Sequence, residues 1–455
     1  MTDSATSAIR FDTATSLALE AVLDGGLLTS DGGLPLLGEA DRELGLCAAI
    51  AACVPEWRRG AVMHNLEDLV RQRVYQIACG YEDQDDADSL RADPLLKLVC
   101  GRLPETGADL ASQPTMSRLE NAPTRTACYR MALAIGEVYI EQRGALEAGG
   151  VPERILLDLD GTDDPTHGDQ EGTAYHGYYR QHMYHPLLVF DGDTDQLVTA
   201  VLRPGNSHAG RGAVMVLKQI VRLLKDAWPD VELEIRADAG FAVPEVYEYC
   251  EAQGIGYTIG LIPNGRLEAM AISLAERATA ASDAQEGQRV RLVSEGRYEA
   301  GSWGRQRRIV YKAEAQRMER RGKAETLLNT RFVVTSKADE PQSLYDWYVD
   351  RGEAEGWIKD YKNALKADRL SCHRFWANQF RLLLHAAAYW LLDALRRDLV
   401  AAGQERMQLD TLRLMLLKIA GRVRQLTTRI KLHLASSPPG QHLWRTLAPA
   451  TQITP

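Results

Sequence analysis

Between residues 154 and 262 the chain takes on a rhythm that limits what it can fold into. "RILLDLD" (154–160) is a short apolar run ending in carboxylates and reads as a buried strand. "HPLLVFDGDTDQLVTAVLRPGN" (185–206) places two apolar runs around Asp191–Asp195 and reads as a hairpin. "RGAVMVLKQIVRLLKDAW" (211–228) has the spacing of an amphipathic helix. "VELEIRADAGF" (231–241) is a further strand. "VPEVYEYCEAQG" is a short helix with Pro244 near its start and Gly254 after its end, and "GYTIGLI" (256–262) is another strand. The order is β-β-β-α-β-α-β. Three strands are able to pair as a meander, and the alternating units after them favour parallel pairing. The class is α/β.

The flanks differ from this core. Residues 1–150 read as a mostly helical N-terminal region: "MHNLEDLVRQRVYQIACGY" and "TACYRMALAIGEVYIEQ" carry apolar residues at helical spacing, separated by turn-rich loops. Residues 151–264 form the first part of the core. Residues 265–345 break the alternation, and "QRVRLVSEGRYEAGSWGRQRRIVYKAE" and "NTRFVVTSK" suggest a β-rich insertion. Residues 346–400 return to the core with a polar helix and a long apolar one, and 401–455 read as a basic helical region. "FRLLLHAAAYWLLDAL" (380–395) is short for a membrane span and carries His385 and Asp393, so a buried helix is expected there, with no membrane partner. The N-terminus shows no apolar leader, which points to a cytoplasmic protein. Seven scattered cysteines without a CxxC pair fit reduced core thiols rather than a disulfide scaffold or a zinc knuckle.

Net charge is −9, which alone argues against a nucleic-acid partner, but the charge is unevenly spread. Residues 1–100 hold 17 acidic and 8 basic residues, whereas 286–323 hold 5 and 11, and 404–455 hold 2 and 8. A basic patch is often no more than a solvated face. Against a phosphate backbone it would supply sequence-independent, salt-sensitive affinity.

Acidic residues mark the strand ends. Asp158 and Asp160 end the first strand and, two apart, point to one side. Asp238 ends the fourth strand within "RADAGF". In an open α/β sheet, ligands bind outside the carboxyl ends of strands. An aspartate at a strand end is more often a turn former, and a helical glutamate is usually solvated. Gathered together, however, two aspartates and a glutamate supply hard oxygen ligands for two Mg²⁺ ions about 3.5–4 Å apart.

The glutamate comes from "YVDRGEAEGWIKDYK" (348–362). On an α-helix Tyr348, Arg351, Glu355 and Lys362 fall within about 60° of one another, whereas Glu353 points elsewhere. This Y-x2-R-x3-E-x6-K spacing resembles that of insertion-sequence transposases of the hairpin-forming type. The strand order, "DGT" and "RADAGF" resemble the ribonuclease-H-like core of DDE transposases. "LDLDGTDDPTHGDQEG", "RPGNSH" and "SCHRFWANQFRLLLHAAAYWLL" are similar to the insertion-sequence 1380 family over nearly the whole chain.

The resemblance implies a bacterial, nucleoid-associated DNA transposase. Asp160, Asp238 and Glu355 would be its catalytic, metal-binding residues, with Mg²⁺ as the cofactor and Mn²⁺ able to substitute. Asp158 shares the strand face of Asp160 and is kept as a supporting residue. Arg351 and Lys362 would grip phosphates, and Tyr348 would bond a phosphate or pack beside a displaced strand. Trp303 and Arg305, in the basic "GSWGRQRR", are DNA-binding candidates, because related enzymes hold a flipped base on an inserted aromatic; the alternative for Trp303 is a core or hairpin tryptophan. The implied partner is double-stranded DNA, as terminal inverted repeats and as target, with a homodimer in the synaptic complex. The alternative function is a DNA endonuclease on the same core without strand transfer. His167, His176, His182 and His185 lie close in sequence, but their spacing fits no common zinc motif.

Overall fold

The run that begins at Arg154 becomes a central strand of a mixed eight-stranded sheet in the computed structural model, which describes residues 8–320 and 323–448. In chain order the strands are β1 (Arg154–Gly161), β2 (Leu187–Asp191), β3 (Leu197–Val201), β4 (Glu232–Ala237), β5 (Gly256–Leu261), β6 (Val290–Tyr298), β7 (Arg307–Arg320) and β8 (Lys323–Thr335). Across the sheet they lie in the order β6-β7-β8-β5-β4-β1-β2-β3. β1, β2 and β3 form the expected antiparallel meander. β4 and β5 join β1 in parallel. Ile155 to Leu159 are all buried, as a strand covered on both faces requires.

Helices of the same unit are α1 (Arg125–Ala145), α2 (Ala213–Ala227) and α3 (Pro244–Gln253). α3 starts with Pro244 and ends on Gly254 in the left-handed region, the asymmetry read from the sequence. The free edge of β3 is closed by side chains of the long apolar helix over Phe375–Ala401. Gln379 imitates a strand: its amide donates to Ala200 O (3.1 Å) and accepts from Leu202 N (2.7 Å). Trp390 Nε1 donates to Leu197 O (3.0 Å) and the Tyr389 hydroxyl to Asp195 O (3.1 Å). An open strand edge is thereby satisfied within the chain.

Two expectations need correction. The insertion over 265–345 begins not with strand but with a 20-residue helix, α4 (Gly265–Ala284). Asn264 caps it, accepting from the N–H groups of Arg266 and Leu267. Its alanine-rich sequence favours helix by propensity while offering little apolar periodicity, so pattern reading passes over it. The strands after it extend the core sheet, because β8 pairs antiparallel with β5.

The C-terminal region is not wholly helical either. Gly421–Gln425 and Ile430–Leu434 pair antiparallel, and Leu28–Thr29 completes a three-stranded sheet. Buried Val423 between exposed Arg422 and Arg424 is a period-two signal, too short to stand out against the basic composition.

The chain divides into two compact units. One comprises Met1–Ala52, Glu56–Leu119 and Leu391–Pro455, and the other Cys53–Pro55 and Glu120–Trp390. The first contains the short helices of the N-terminal region, such as Leu34–Leu44 and Leu66–Ala78, and the three-stranded sheet. Asp31, on the loop after Leu28–Thr29, takes an ion pair from Lys418 (2.7 Å) and a hydrogen bond from the Tyr81 hydroxyl (2.8 Å). No helix among the described residues is long and apolar enough to cross a membrane.

Candidate active site

Strand register builds the site. Leu159 on β1 lies opposite Ala237 on the parallel β4, so the next residues, Asp160 and Asp238, leave adjacent strand ends side by side. Asp238 Oδ1 accepts from Gly240 N (2.8 Å) and caps the 3-10 turn Ala239–Phe241. Gly260, on neighbouring β5, is required by close approach. A Cβ there would lie 2.7 Å from the Tyr348 hydroxyl and 3.0 Å from Ala239 N.

The stripe residues sit on a helical path that changes its hydrogen bonding three times. α5 (Pro341–Val349) tightens into a 3-10 segment (Asp350–Glu353), resumes as α6 (Ala354–Lys359) and widens into a π turn (Asp360–Ala364). The straight α-helix expected from the spacing is corrected to this path. Gly352 and Gly356 flank Glu355 with open space where their side chains would be, and they remove the propensity that would hold a regular helix.

Each stripe residue finds its own partner. Tyr348 donates to Ala237 O (3.3 Å), the last carbonyl of β4. Arg351 Nη1 reaches Asp160 Oδ2 (3.3 Å). Lys362 Nζ binds Asp163 Oδ1 (2.6 Å), whose other oxygen accepts from Gln181 Nε2 (3.1 Å). Glu355 is exposed, as is Glu353.

Electrostatics couple these groups. Burial pushes the Asp160 carboxyl up to about 7, the charge of Asp238 adds to the rise, Arg351 opposes it, and Glu355 adds again. Burial also disfavours the Arg351 guanidinium, but Tyr348, Asp160 and Asp238 hold it above its ordinary range. Thus Asp160, Asp238, Arg351 and Tyr348 meet at two strand ends, with Glu355 within electrostatic reach.

Asp158 is occupied differently. It is 1% exposed and bound by both oxygens to Arg236, Nε at 2.8 Å and Nη2 at 2.7 Å. Arg236 Nη1 then donates to Trp347 O (2.8 Å), fastening β4 and β1 to the end of α5. Asp158 is therefore a structural anchor behind Asp160. Arg236, which the sequence reading missed, sits opposite Asp158 in the β1–β4 register, and alternation from Asp238 would have found it.

Trp303 does not present its indole. It is 8% exposed and meets Tyr247 (5.3 Å, 74°) and Tyr298 (5.4 Å, 85°) edge to face, with the Arg307 guanidinium 5.3 Å from its centroid. The ring would have to leave that cluster to stack on a base, so its expected DNA-facing position is corrected to a packing one. Arg305, exposed, pairs with Glu251 (2.6 Å). Much of the basic patch over 286–323 is spent in the same way. Arg289, Arg291, Arg305, Arg307, Arg308, Lys312 and Arg317 all pair with carboxylates.

The second basic stretch stays exposed. Arg422 lies directly opposite His433, and Arg424 opposite Lys431, with all four on the solvent side of their hairpin. The like charges of Arg424 and Lys431 facing one another across the strand pair destabilise it.

"HGDQEG" gains a structural reading. Gln170 Nε2 donates to Leu370 O (2.6 Å) and Cys372 O (2.9 Å), and Glu171 accepts from Phe375 N (3.0 Å) at the start of the apolar helix. This loop therefore ties the end of β1 to the segment that follows Lys362. The histidines separate: His185 is buried with Nδ1 2.7 Å from Ser207 O, and its ring meets His176 at 5.0 Å, whereas His182 is exposed.

Hard oxygens gathered where burial, and after it the charge of Asp238, pushes one carboxyl up suit a divalent cation, which would favour the ionised form. Their positions are not yet those of a closed shell. Among the described residues no group of three or more His, Cys, Asp or Glu stands close enough to hold a metal ion.

Comparison with known proteins gives the family. Residues 11–453 match the family described as transposase DDE domain, group 1, and the chain belongs to that family: it is a DDE transposase, a DNA-cleaving and strand-transferring enzyme. Among solved structures it is similar to a piggyBac transposase synaptic complex with hairpin DNA, with 10% identity, 85% of this chain and 79% of that chain covered, and a TM-score of 0.43. No curated protein sequence matches it.

Proposed function

We propose that this protein is the transposase of a bacterial insertion sequence similar to the 1380 family, acting from a ribonuclease-H-like core on the ends of its own element. The observation that carries this reading is the β1–β4 register, which brings Asp160 and Asp238 to adjacent strand ends beneath the helical path of Arg351 and Glu355. The sheet order β3-β2-β1-β4-β5, antiparallel then parallel, supports the core assignment.

Asp160, Asp238 and Glu355 would hold divalent metal, Mg²⁺ or Mn²⁺. When bound, such a pair activates water or a 3′-hydroxyl and stabilises the leaving oxygen of a phosphodiester. Arg351, which lies against Asp160, would bind a DNA phosphate through its planar fork. Lys362, steadied by Asp163 and Gln181, offers a point charge further along the path, in the π turn after α6. Tyr348 fixes the start of the path against the last carbonyl of β4. The exposed Arg422, Arg424 and Lys431 would bind the duplex backbone. Both ends must be cut together, so a homodimer working on paired ends in the bacterial cytoplasm is the acting form. Hairpin ends follow if the freed 3′-hydroxyl attacks the opposite strand.

The test compares supercoiled plasmids with and without the element's terminal inverted repeats, incubated with protein and Mg²⁺. Cutting confined to the repeats, with joined products, supports a transposase. Cutting of both plasmids alike without joining supports the endonuclease alternative.

A further inference from the structure

The stretch "RPGNSH" opens with a buried arginine that the site as described does not use. Arg203, between β3 and α2, is 6% exposed. Its Nε donates to His185 O (2.8 Å) and its Nη1 to the carbonyls of Ala209 and Arg211, the latter at 3.3 Å. His185 returns the contact, because its backbone N–H donates to Arg203 O (3.0 Å). The ring Nδ1 of His185 lies 2.7 Å from Ser207 O, which can only accept, so Nδ1 carries the proton. Arg203 and His185 thus hold one loop, Ser207–Arg211, by the carbonyls of Ser207, Ala209 and Arg211.

The remaining ends of both side chains face the residue after Asp160. A Cβ on Gly161 would lie 2.7 Å from His185 Nε2 and 3.2 Å from Arg203 Nη2. The loop that they hold lies on the turn after Asp238. A Cβ on Gly240 would lie 2.6 Å from Ala209 Cβ, and one on Gly210 would lie 3.3 Å from Gly240 O. One guanidinium therefore reaches both carboxylate-bearing strand ends, Gly161 directly and Gly240 through the loop. Its Nη2 is buried and has no hydrogen-bond partner among the described residues. Burial pulls the guanidinium down to about 10, and the charge of Asp238 opposes that fall. A buried charge that meets only neutral carbonyls costs free energy, so stability alone does not explain an arginine here.

We propose that Arg203 is a positioning residue for the cleavage reaction: with His185 it clamps Gly161 to the Ser207–Arg211 loop, and so sets the spacing of Asp160 and Asp238 for a divalent cation. Partners of this kind orient metal-binding side chains without touching the metal. The β1–β4 register brings the two aspartates side by side, but it ends at Leu159 and Ala237. The clamp acts just beyond, on the residues that follow each aspartate. Arginine suits the task, since its planar fork addresses three carbonyls and keeps one nitrogen for Gly161, whereas the single ammonium of lysine does not. The proposal rests on the assignment of Asp160 and Asp238 as metal-binding residues, and its test separates the two.

The experiment follows Mn²⁺ binding to the full chain without DNA, from the paramagnetic resonance signal of free Mn²⁺. Arg203→Gln should weaken binding on the order of tenfold. Arg203→Lys, which keeps the charge and loses the fork, should do the same. Gly210→Ala, whose Cβ would lie 2.9 Å from Val243 Cγ2, disturbs the loop with Arg203 intact and should also weaken binding. It decides by itself if the Arg203 variants do not fold. A variant that is only less stable melts earlier yet binds Mn²⁺ like wild type once folded, so affinity separates positioning from stability. Asp160→Asn is the reference for a lost ligand. Wild-type affinity in Arg203→Gln, Arg203→Lys or Gly210→Ala, beside a loss in Asp160→Asn, would overturn the clamp alone. A wild type that binds no Mn²⁺, or an Asp160→Asn that binds it like wild type, would overturn the carboxylate assignment and the clamp with it.

Discussion

Arg236 grips Asp158 through two hydrogen bonds, at 2.8 and 2.7 Å, and holds the carbonyl of Trp347 with its remaining nitrogen at 2.8 Å. One buried guanidinium thus joins the two strands that carry the candidate aspartates to the helix that leads to the candidate glutamate. Breaking a buried pair from one side leaves an uncompensated charge. Arg236→Ala should therefore lower the stability of the whole chain by about 3–5 kcal/mol, read from denaturant unfolding. Asp158→Asn, which keeps the shape and one acceptor, should cost less. Equal and small losses would show that this triad is not what holds the site.

Asp160 makes stability depend on pH. Its carboxyl titrates near 7 in the fold and near its ordinary value when unfolded, so between about pH 4 and 7 the native state binds more protons. Without divalent cation, stability should fall as pH rises through that window, by up to about 4 kcal/mol. Asp160→Asn should remove this loss: it should melt higher than wild type at pH 8 and like wild type at pH 4. Mg²⁺ should raise the wild-type melting temperature at pH 8 and leave that of Asp160→Asn nearly unchanged. A gap between the two proteins that ignores pH would count against the arrangement of Asp160, Asp238 and Glu355.

The basic hairpin of the C-terminal region makes a different prediction. Arg424 opposite Lys431 sets like charges across the pairing, which suits a polyanion bound over them. Replacing Arg424 and Lys431 with glutamine should weaken duplex binding at low salt. It should also reduce the slope of log K against log salt by about 2, one unit for each phosphate that is no longer neutralised. Unchanged slope in a titration of the full chain would assign duplex binding to another surface.

The core strands and the aspartate pair were legible because strand period and strand-end position are local. The alternation over 154–262 leads to the observed meander and parallel pairs, and Asp160 and Asp238 then become neighbours through one register. What was not legible depends on distant partners. Trp303 looked available beside three arginines, yet the arginines find acids and the indole finds tyrosines, one of them on a helix more than fifty residues earlier. The stripe from Tyr348 to Lys362 has a helical period, but no window of sequence states that its hydrogen bonding passes through 3-10 and π turns.

Cleavage by two neighbouring glutamate variants tests the central claim most directly. Glu353 and Glu355 are both exposed and lie two residues apart, Glu353 at the end of the 3-10 segment and Glu355 on α6. In Mg²⁺-dependent cleavage of a plasmid bearing the element's ends, Glu355→Ala should abolish cutting while DNA binding persists, and Glu353→Ala should cut like wild type. Cutting retained by Glu355→Ala, or lost equally in both variants, would contradict a catalytic centre built on Asp160, Asp238 and Glu355.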